Sequence, residues 1–578
     1  MLELSSSGSV RGVSSNGHPY RDPRSTAVHP VSLGNRQQWV DSRFAPVFCT
    51  SVDNMRRFAG TAPTSPEFET KKYPPVGRSA EGEGCEARRS QRPTVPAALI
   101  CRTLWQGWLR RPNHKANSVA ELSNGEIIMP SLTALPSLTV LAPAALAALM
   151  IVSAPASGDA VTVWNAHAGE AAMKACIAPL DDPFHESRMY AMMHIAIHDA
   201  LNAIDRRFQP YAFDKRVEPG ASPEAAVAAA ARDVMVPLLG QLPRELPFIT
   251  QACIDASLAS VEGAYTAALE ALPDSPAKAQ GIAVGQAAAA AIIARRATDG
   301  AVGPFLNSRC PQDTSPGKYQ CTPGSPFVAF EVWGKVIPFA LQDSTQFRPG
   351  PPYAVTDKAY TADYNEVKSL GGDGTTTPSA RSADQTEIAY FWWESSPLKW
   401  SRIARTVSAN SGFNQWQNAR LFALLNMALA DGYVAMSATK NHYSYWRPVT
   451  AIRAGETDGN PDTVGDPAWT PLRPTPANQD YASGHAIEGG VGAEVLQQVF
   501  GTDAVSFQDC GVKLPAASAC GDPSPLLRSY TSFSQAATEN AYSRILIGFH
   551  FRKSIEEGTQ YGRKIGERTV TNYLQPVL

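Results

Sequence analysis

Charge is scarce in this 578-residue chain: Asp, Glu, Lys and Arg together make up 18% of it, and the formal net charge is −2. A chain without a global basic field is a poor partner for DNA or RNA. Long apolar runs are few and the mean hydropathy is −0.20, which excludes a polytopic membrane protein and predicts no stable membrane span in the mature chain. None of the nine cysteines has C-x-x-C spacing, so a metal-thiolate site is discounted. Internal repeats and sustained strand alternation are also lacking. What is present is 44% hydrophobic residues, enough to exclude a wholly disordered chain and to build a sizeable core.

The near-zero net charge hides a division. Residues 1–128 hold 17 Lys/Arg against 11 Asp/Glu, and the remainder 34 against 42. The first part is rich in Ser, Gly, Pro and Arg with no sustained period, and reads as a disordered leader or an over-extended start. At Met129 the composition changes. An apolar stretch from Leu138 to Val152 ends in Ala154-Pro155-Ala156, similar to a secretory signal with a small-residue cleavage site, although no basic residue lies between Met129 and the apolar run. Residues 129–156 are therefore expected to direct export, leaving residues 157–578 as one secreted or periplasmic unit; a buried or anchoring helix is the alternative. Six cysteines follow Ala156. In an exported chain they predict disulfides, with the short separations suggesting Cys310 to Cys321 and Cys510 to Cys520, and leaving Cys176 with Cys253.

From residue 187 the dominant period is helical. Helices are expected at about 187–208, 223–240, 248–270, 276–297, 383–395, 413–437, 440–453, 483–500, 533–548 and 556–573. A Pro/Gly-rich interval over 301–378 reads as a long loop shaping an entrance. The fold class predicted is all-α, a helical bundle with long Pro/Gly-rich loops. His194 and His198 form an H-x3-H pair, but they lie in an apolar run without the Glu of H-E-x-x-H, so they read as core. The Trp and Tyr residues over 391–446 read as core and channel wall.

Three clusters carry chemistry suited to a tetrahedral oxyanion. In KNHYSYWRPVTAIR, Lys440 and Arg447 are seven residues apart, about 700° on a continuous helix, which would place both cations on one face; Pro448 marks a kink or a new segment. In Tyr481-Ala482-Ser483-Gly484-His485, Ser483 is a good N-cap and Gly484 permits close backbone approach, so that free N–H groups would meet an anion beside His485. In Ser543-Arg544-Ile545-Leu546-Ile547-Gly548-Phe549-His550, a helix ending near Gly548 would let Arg544 and His550 converge. Alone, each cluster has an ordinary reading: a solvated face, a Ser-capped helix with a surface histidine, a core histidine.

Taken in order, K-x6-R-P, S-G-H and S-R-x5-H resemble the signature of bacterial vanadium-dependent haloperoxidases, within the superfamily shared with type 2 phosphatidic acid phosphatases and bacterial acid phosphatases. HDALNAIDRRFQPY, IAYFWWESSPLKWSRIAR and FHFRKSIEEG also look like family segments. The resemblance implies vanadate as cofactor, held by Lys440, Arg447, Arg544, the Ser483 hydroxyl and the Gly484 N–H, with a His550 ring nitrogen as axial metal ligand. It implies His485 as acid/base, Lys440 as the residue polarising hydrogen peroxide, and a halide and an organic acceptor as co-substrates. Two departures stand out. Ala482 replaces a frequent Pro, and Ser554 replaces an Asp that orients the histidine in many members. Asp384 and Glu387 are candidates for a substitute carboxylate, and Asn478 lies where halide-proximal residues vary. The competing activity is an exported acid phosphatase, with His550 as nucleophile and His485 as leaving-group acid in the same pocket. A non-catalytic helical protein is disfavoured, because burying two Arg and a Lys without an anion is costly.

Overall fold

The computed structural model describes residues 158–307, 309–511 and 525–577. The expected leader, the signal-like segment and Cys520 lie outside the described residues. The described residues are mostly helical, as the sequence predicts. Five helices form the N-terminal part: α1 (Ala160–Lys174), α2 (Pro183–Ile204), α3 (Pro223–Glu245), α4 (Gln251–Glu270) and α5 (Pro276–Arg296). Asp159, Asp182, Ser222, Thr250 and Ser275 cap their N-termini through side-chain acceptors, and Pro opens α2, α3 and α5, where its missing N–H is not needed. Helix α1 escaped the periodicity reading, since buried Thr162, Asn165 and Gly169 share its inner face with the apolar residues.

The interval 301–378 is less irregular than its composition suggests. It contains the short antiparallel pair β1 (Leu306–Asn307) and β2 (Val328–Ala329), a 3-10 turn at Glu331–Lys335, and the helix α6 (Lys358–Leu370). Four further helices follow: α7 (Ala383–Phe391), α8 (Ser396–Ser408), α9 (Gln415–Tyr443) and α10 (Pro448–Arg453). The chain ends with α11 (Gly484–Phe500), the hairpin β3 (Phe507–Gly511) and β4 (Leu526–Tyr530), α12 (Phe533–Leu546) and α13 (Arg552–Asn572).

Helix α9 is the axis of the body. A capping box between Asn414 and Gln417 starts it, and it packs against α2, α11 and α13. Helices α11 and α13 approach so closely that a Cβ at Gly562 would lie 1.9 Å from the Ile487 carbonyl oxygen, which requires glycine there. By length and composition α3, α5 and α9 are each apolar enough to cross a membrane, although the whole apolar window of α9 is buried inside the protein. The sequence reading missed these because alanine supplies much of the apolar character of α3 and α5.

Disulfides form between Cys310 and Cys321, as the short spacing suggested, and between Cys176 and Cys253, the pair left over. Cys510 is also disulfide-bonded. His194 and His198 are fully buried, His194 within 2.8 Å of the Asn165 amide and His198 within 3.0 Å of Asp199, in keeping with core packing.

Candidate functional site

The three clusters converge at the end of α9, the start of α11 and the turn after α12. They do so by a route different from the helical-face argument. Helix α9 stops at Tyr443, Ser444 adopts a left-handed conformation, and Arg447 is the N-cap residue of α10. Lys440 and Arg447 therefore belong to two segments. Pro448 opens the second one, where its fixed φ suits the first helical turn.

Lys440 is buried and donates to the backbone carbonyls of Gln479 and, at 3.0 Å, Asp480. Arg447 donates through Nε to the Asn478 carbonyl at 2.7 Å, through Nη2 to Asn478 Oδ1 at 2.7 Å, and through Nη1 to the Phe549 carbonyl at 3.0 Å. Arg544, in the last turn of α12, donates through Nη1 to the Trp392 carbonyl at 2.9 Å, while its Nε is buried without a partner. Helix α12 ends at Leu546 and Gly548 takes φ +85°, so the chain turns as the third cluster requires and delivers His550 to the same place.

Ser483 occupies the N-cap position of α11, but its hydroxyl caps nothing and is buried without a hydrogen-bond partner. Gly484 has a packing reason of its own: a Cβ there would lie 2.5 Å from the Met436 sulfur, so α11 approaches α9 at this point. The Tyr481–Ala482 peptide just before is cis.

Both histidines have assignable tautomers. Arg447 Nη1 lies 2.9 Å from His550 Nε2 and can only donate, so Nε2 carries the lone pair and Nδ1 the proton. That Nδ1 sits 2.8 Å from Asp480 Oδ1. The carboxylate sought for His550 is thus Asp480, and Asp384 and Glu387 are ruled out: both pair with Arg528, at 2.9 and 2.8 Å. Ser554 stands 3.3 Å from His550 Nδ1 and donates to the Asp480 carbonyl at 3.1 Å, bracing the pair it was expected to leave unsupported. His485 Nε2 is 3.1 Å from the Glu394 carbonyl, which accepts only, so Nε2 is protonated and Nδ1 keeps its lone pair.

Electrostatics follow from burial and crowding. Burial, then Arg447, Lys440 and Arg544, hold His550 well below the ordinary histidine range; burial and then Arg544 do the same to His485. Lys440 is pushed well down by burial and by Arg447, and Arg544 is lowered to about 9 by burial and Arg447. Asp480 is raised to about 7 by burial, partly offset by Arg447 and Lys440. Lys440 and Arg447 thus share the Asp480 carboxylate while Arg544 feels Arg447, with the Ser483 hydroxyl and Arg544 Nε unpaired and Asp480 Oδ2 also unbonded. Unpaired buried donors beside surplus positive charge fit an oxyanion.

Beneath the pocket lies a second charged layer that sequence reasoning missed. Trp392 and Glu394 lend their carbonyls to Arg544 and His485, and the Glu394 side chain is held by Lys399 at 3.1 Å and by Arg402. Asp509 on β3 binds the same Lys399 and Arg402, each at 2.9 Å. Lys399, Glu394 and Asp509 are 1% exposed at their side chains, so the charges neutralise one another out of contact with water. The only local signal was a set of charged residues in an otherwise apolar stretch around Trp392 and Trp400.

Residues 420–577, which include every residue of the anion pocket, match the family model of the VCPO second helical-bundle domain. Vanadium chloroperoxidase of Curvularia inaequalis is 25% identical over 289 residues, 40% of this chain, and the chain spans about half (47%) of that relative's length. Among solved structures, the first bacterial vanadium-dependent iodoperoxidase aligns with TM-score 0.58 and 23% identity, covering 72% of this chain and 96% of that one. An apo-type bacterial vanadium-dependent chloroperoxidase aligns with TM-score 0.52 and 15% identity, covering 68% and 94%. Residues 420–577 thus carry the matched domain, and the likeness of the described residues to the bacterial vanadium-dependent haloperoxidases is one of helical-bundle fold.

Proposed function

We propose that the protein is a vanadate-dependent haloperoxidase, oxidising halide with hydrogen peroxide to hypohalous acid that halogenates an organic acceptor. The observation that carries this reading is the buried convergence of Lys440, Arg447 and Arg544 with an unpaired Ser483 hydroxyl and a His550 Nε2 lone pair. Vanadate, when bound, supplies a Lewis acid that activates peroxide toward halide without a change in its own oxidation state.

The chain's residues would divide the work as follows. Lys440, Arg447, Arg544, the Ser483 hydroxyl and the Gly484 N–H hold the oxyanion, replacing its hydration by fixed donors. His550, as the metal ligand, presents Nε2, and Asp480 keeps the proton on Nδ1 and fixes the ring, as carboxylates do for metal-bound imidazoles. His485 is held as a neutral base whose free Nδ1 can take a proton from incoming hydrogen peroxide and return it to a leaving oxygen. Burial of the cations excludes bulk water from the oxyanion's surroundings. We further propose that residues 129–156 direct export of a body comprising 157–578, a reading with which the two disulfides are compatible.

The test uses the full chain stripped of oxyanion. Adding vanadate should confer peroxide-dependent bromination of a diketone, with weak, vanadate-inhibited hydrolysis of an aryl phosphate. Strong hydrolysis without halide oxidation would establish the acid phosphatase activity instead. His550→Ala abolishes either activity and so checks the site.

A further inference from the structure

The anion pocket has a rim whose character differs from its floor. Lys440, Arg447, Ser483 and Arg544 are buried, whereas His485, Asn478, Trp393, Tyr390 and Arg473 are half-buried. Trp393 stands between Trp392 and Glu394, the two residues whose carbonyls hold Arg544 and His485, so its backbone lies beside the pocket. The guanidinium of Arg473 lies over that indole, 4.1 Å from the ring centroid, and 5.8 Å from the ring of Tyr390. Tyr390 and Trp393 are themselves 6.5 Å apart with their planes at 56°. The segment carrying Arg473 also touches the turn that delivers His550: a Cβ at Gly548 would lie 2.8 Å from Pro471.

Arg473 has no carboxylate and no hydrogen-bond acceptor among the described residues, and its Nε is shut off from water without a partner. A guanidinium stacked on an indole keeps a planar edge of donors that matches a carboxylate in two-pronged fashion. The neighbouring aromatic faces suit a flat ring.

We propose that Trp393, Tyr390 and Arg473 form the docking shelf for the organic acceptor, and that the shelf selects an electron-rich aromatic bearing an anionic group, of the hydroxyaryl carboxylate class. This rests on the haloperoxidase reading, since an electron-rich ring is what an electrophilic halogen species attacks. The shelf lies on the segment whose backbone carbonyls hold Arg544 and His485, which keeps that ring near the pocket.

The probes are 4-hydroxybenzoate and its neutral counterpart 4-hydroxybenzyl alcohol, titrated against the full-length protein saturated with vanadate so that the inner cations are already occupied. Binding is read by tryptophan fluorescence, without peroxide or turnover. The anionic probe should bind about tenfold more tightly, the value of one charge-assisted hydrogen bond. Arg473→Gln should erase that preference, Arg473→Lys should retain part of it, and Trp393→Leu should weaken both probes while leaving their ratio. Equal affinity of the two probes for the wild type, or an unchanged ratio in Arg473→Gln, overturns the shelf. Iodide oxidation to triiodide is assayed separately. Its absence from a protein that binds 4-hydroxybenzoate in this way refutes the haloperoxidase reading and leaves the shelf standing. Triiodide formation without selective binding refutes the shelf alone.

Discussion

Replacing Glu394 with Gln removes one of two carboxylates from a buried cluster in which Lys399 and Arg402 balance Glu394 and Asp509. The neutral side chain leaves one positive charge uncompensated where Lys399 is 1% exposed. Breaking a buried pair from one side costs about 3–5 kcal/mol. Arg402 retains some solvent at 14% exposure, and Gln still offers an acceptor, so the cost falls at the lower end, about 3 kcal/mol. With an unfolding entropy of about 2.1 cal/mol/K per residue over roughly 400 residues, the melting temperature drops by about 4 °C. Burial already lowers the Lys399 pKa, opposed by Asp509 and Glu394. Losing Glu394 lowers it further, so the variant sheds the stray charge as pH rises and its deficit shrinks. Activity should suffer more than stability, because the carbonyls of Trp392 and Glu394 aim Arg544 and His485. Loss of such outer supports costs about 10–100-fold. Differential scanning fluorimetry from pH 6 to 9, alongside triiodide formation by the vanadate-loaded enzyme, measures both. A melting temperature within about 1 °C of wild type together with unchanged turnover would refute the assignment of Glu394 as support for the pocket.

Other expectations follow from the same geometry. Orthovanadate at a hundredfold its dissociation constant stabilises the native state by about 2.7 kcal/mol, a rise of about 3 °C in melting temperature; no shift with vanadate or phosphate would mean that the three cations do not form an anion site. Asp480→Asn lowers kcat/KM by about 10–100-fold, whereas Ser554→Ala, which leaves the Asp480–His550 contact in place, costs less than about tenfold; equal losses would contradict the hierarchy of contacts. Burial raises Glu186 to about 8, so it binds its proton more tightly folded than unfolded. Its stabilising contribution is complete below its ordinary pKa and is lost as pH rises through about 8. Glu186→Gln removes that loss, so the variant's melting temperature relative to wild type should climb from pH 5 to pH 8, and a flat difference would show that Glu186 does not titrate in the fold.

Local signals explain what could be read in advance. The long helices announce themselves by period and by Ser, Thr, Asp or Asn before Pro or an apolar run, and the turn at Gly548 follows from needing Arg544 and His550 together. The break after Tyr443 carried a weaker sign. Ser444 takes the left-handed conformation that Gly or Asn usually marks, so a continuous helix through Lys440 and Arg447 was the natural inference. The residues converge because Arg447 reaches back over the 478–480 loop, a tertiary fact. Asp480 is 70 residues from His550 in sequence, and no spacing rule links them. A carboxylate three residues before an S-G-H motif, amid cations drawn to one anion, is the trace it left. The ion cluster around Glu394 needed β3, a strand too short and too poorly alternating to be recognised.

The choice between peroxide chemistry and phosphate ester hydrolysis turns on what His485 can do at rest. A leaving-group acid must hold a proton before the reaction begins, whereas a base for hydrogen peroxide must be free to accept one. In this pocket burial and Arg544 drive the His485 imidazole toward its neutral form, and the Glu394 carbonyl places its single proton on Nε2, leaving the Nδ1 lone pair without a partner among the described residues. An arriving oxyanion offsets part of the positive field, but it does not move the Glu394 carbonyl, and Asp480 is committed to His550. The arrangement therefore supplies an acceptor first and a donor only after it has been charged by the substrate's own proton. Hydrogen peroxide carries such a proton, so the tautomer of this one histidine is the one that the proposed halide oxidation needs, in a pocket whose cations suit either oxyanion chemistry.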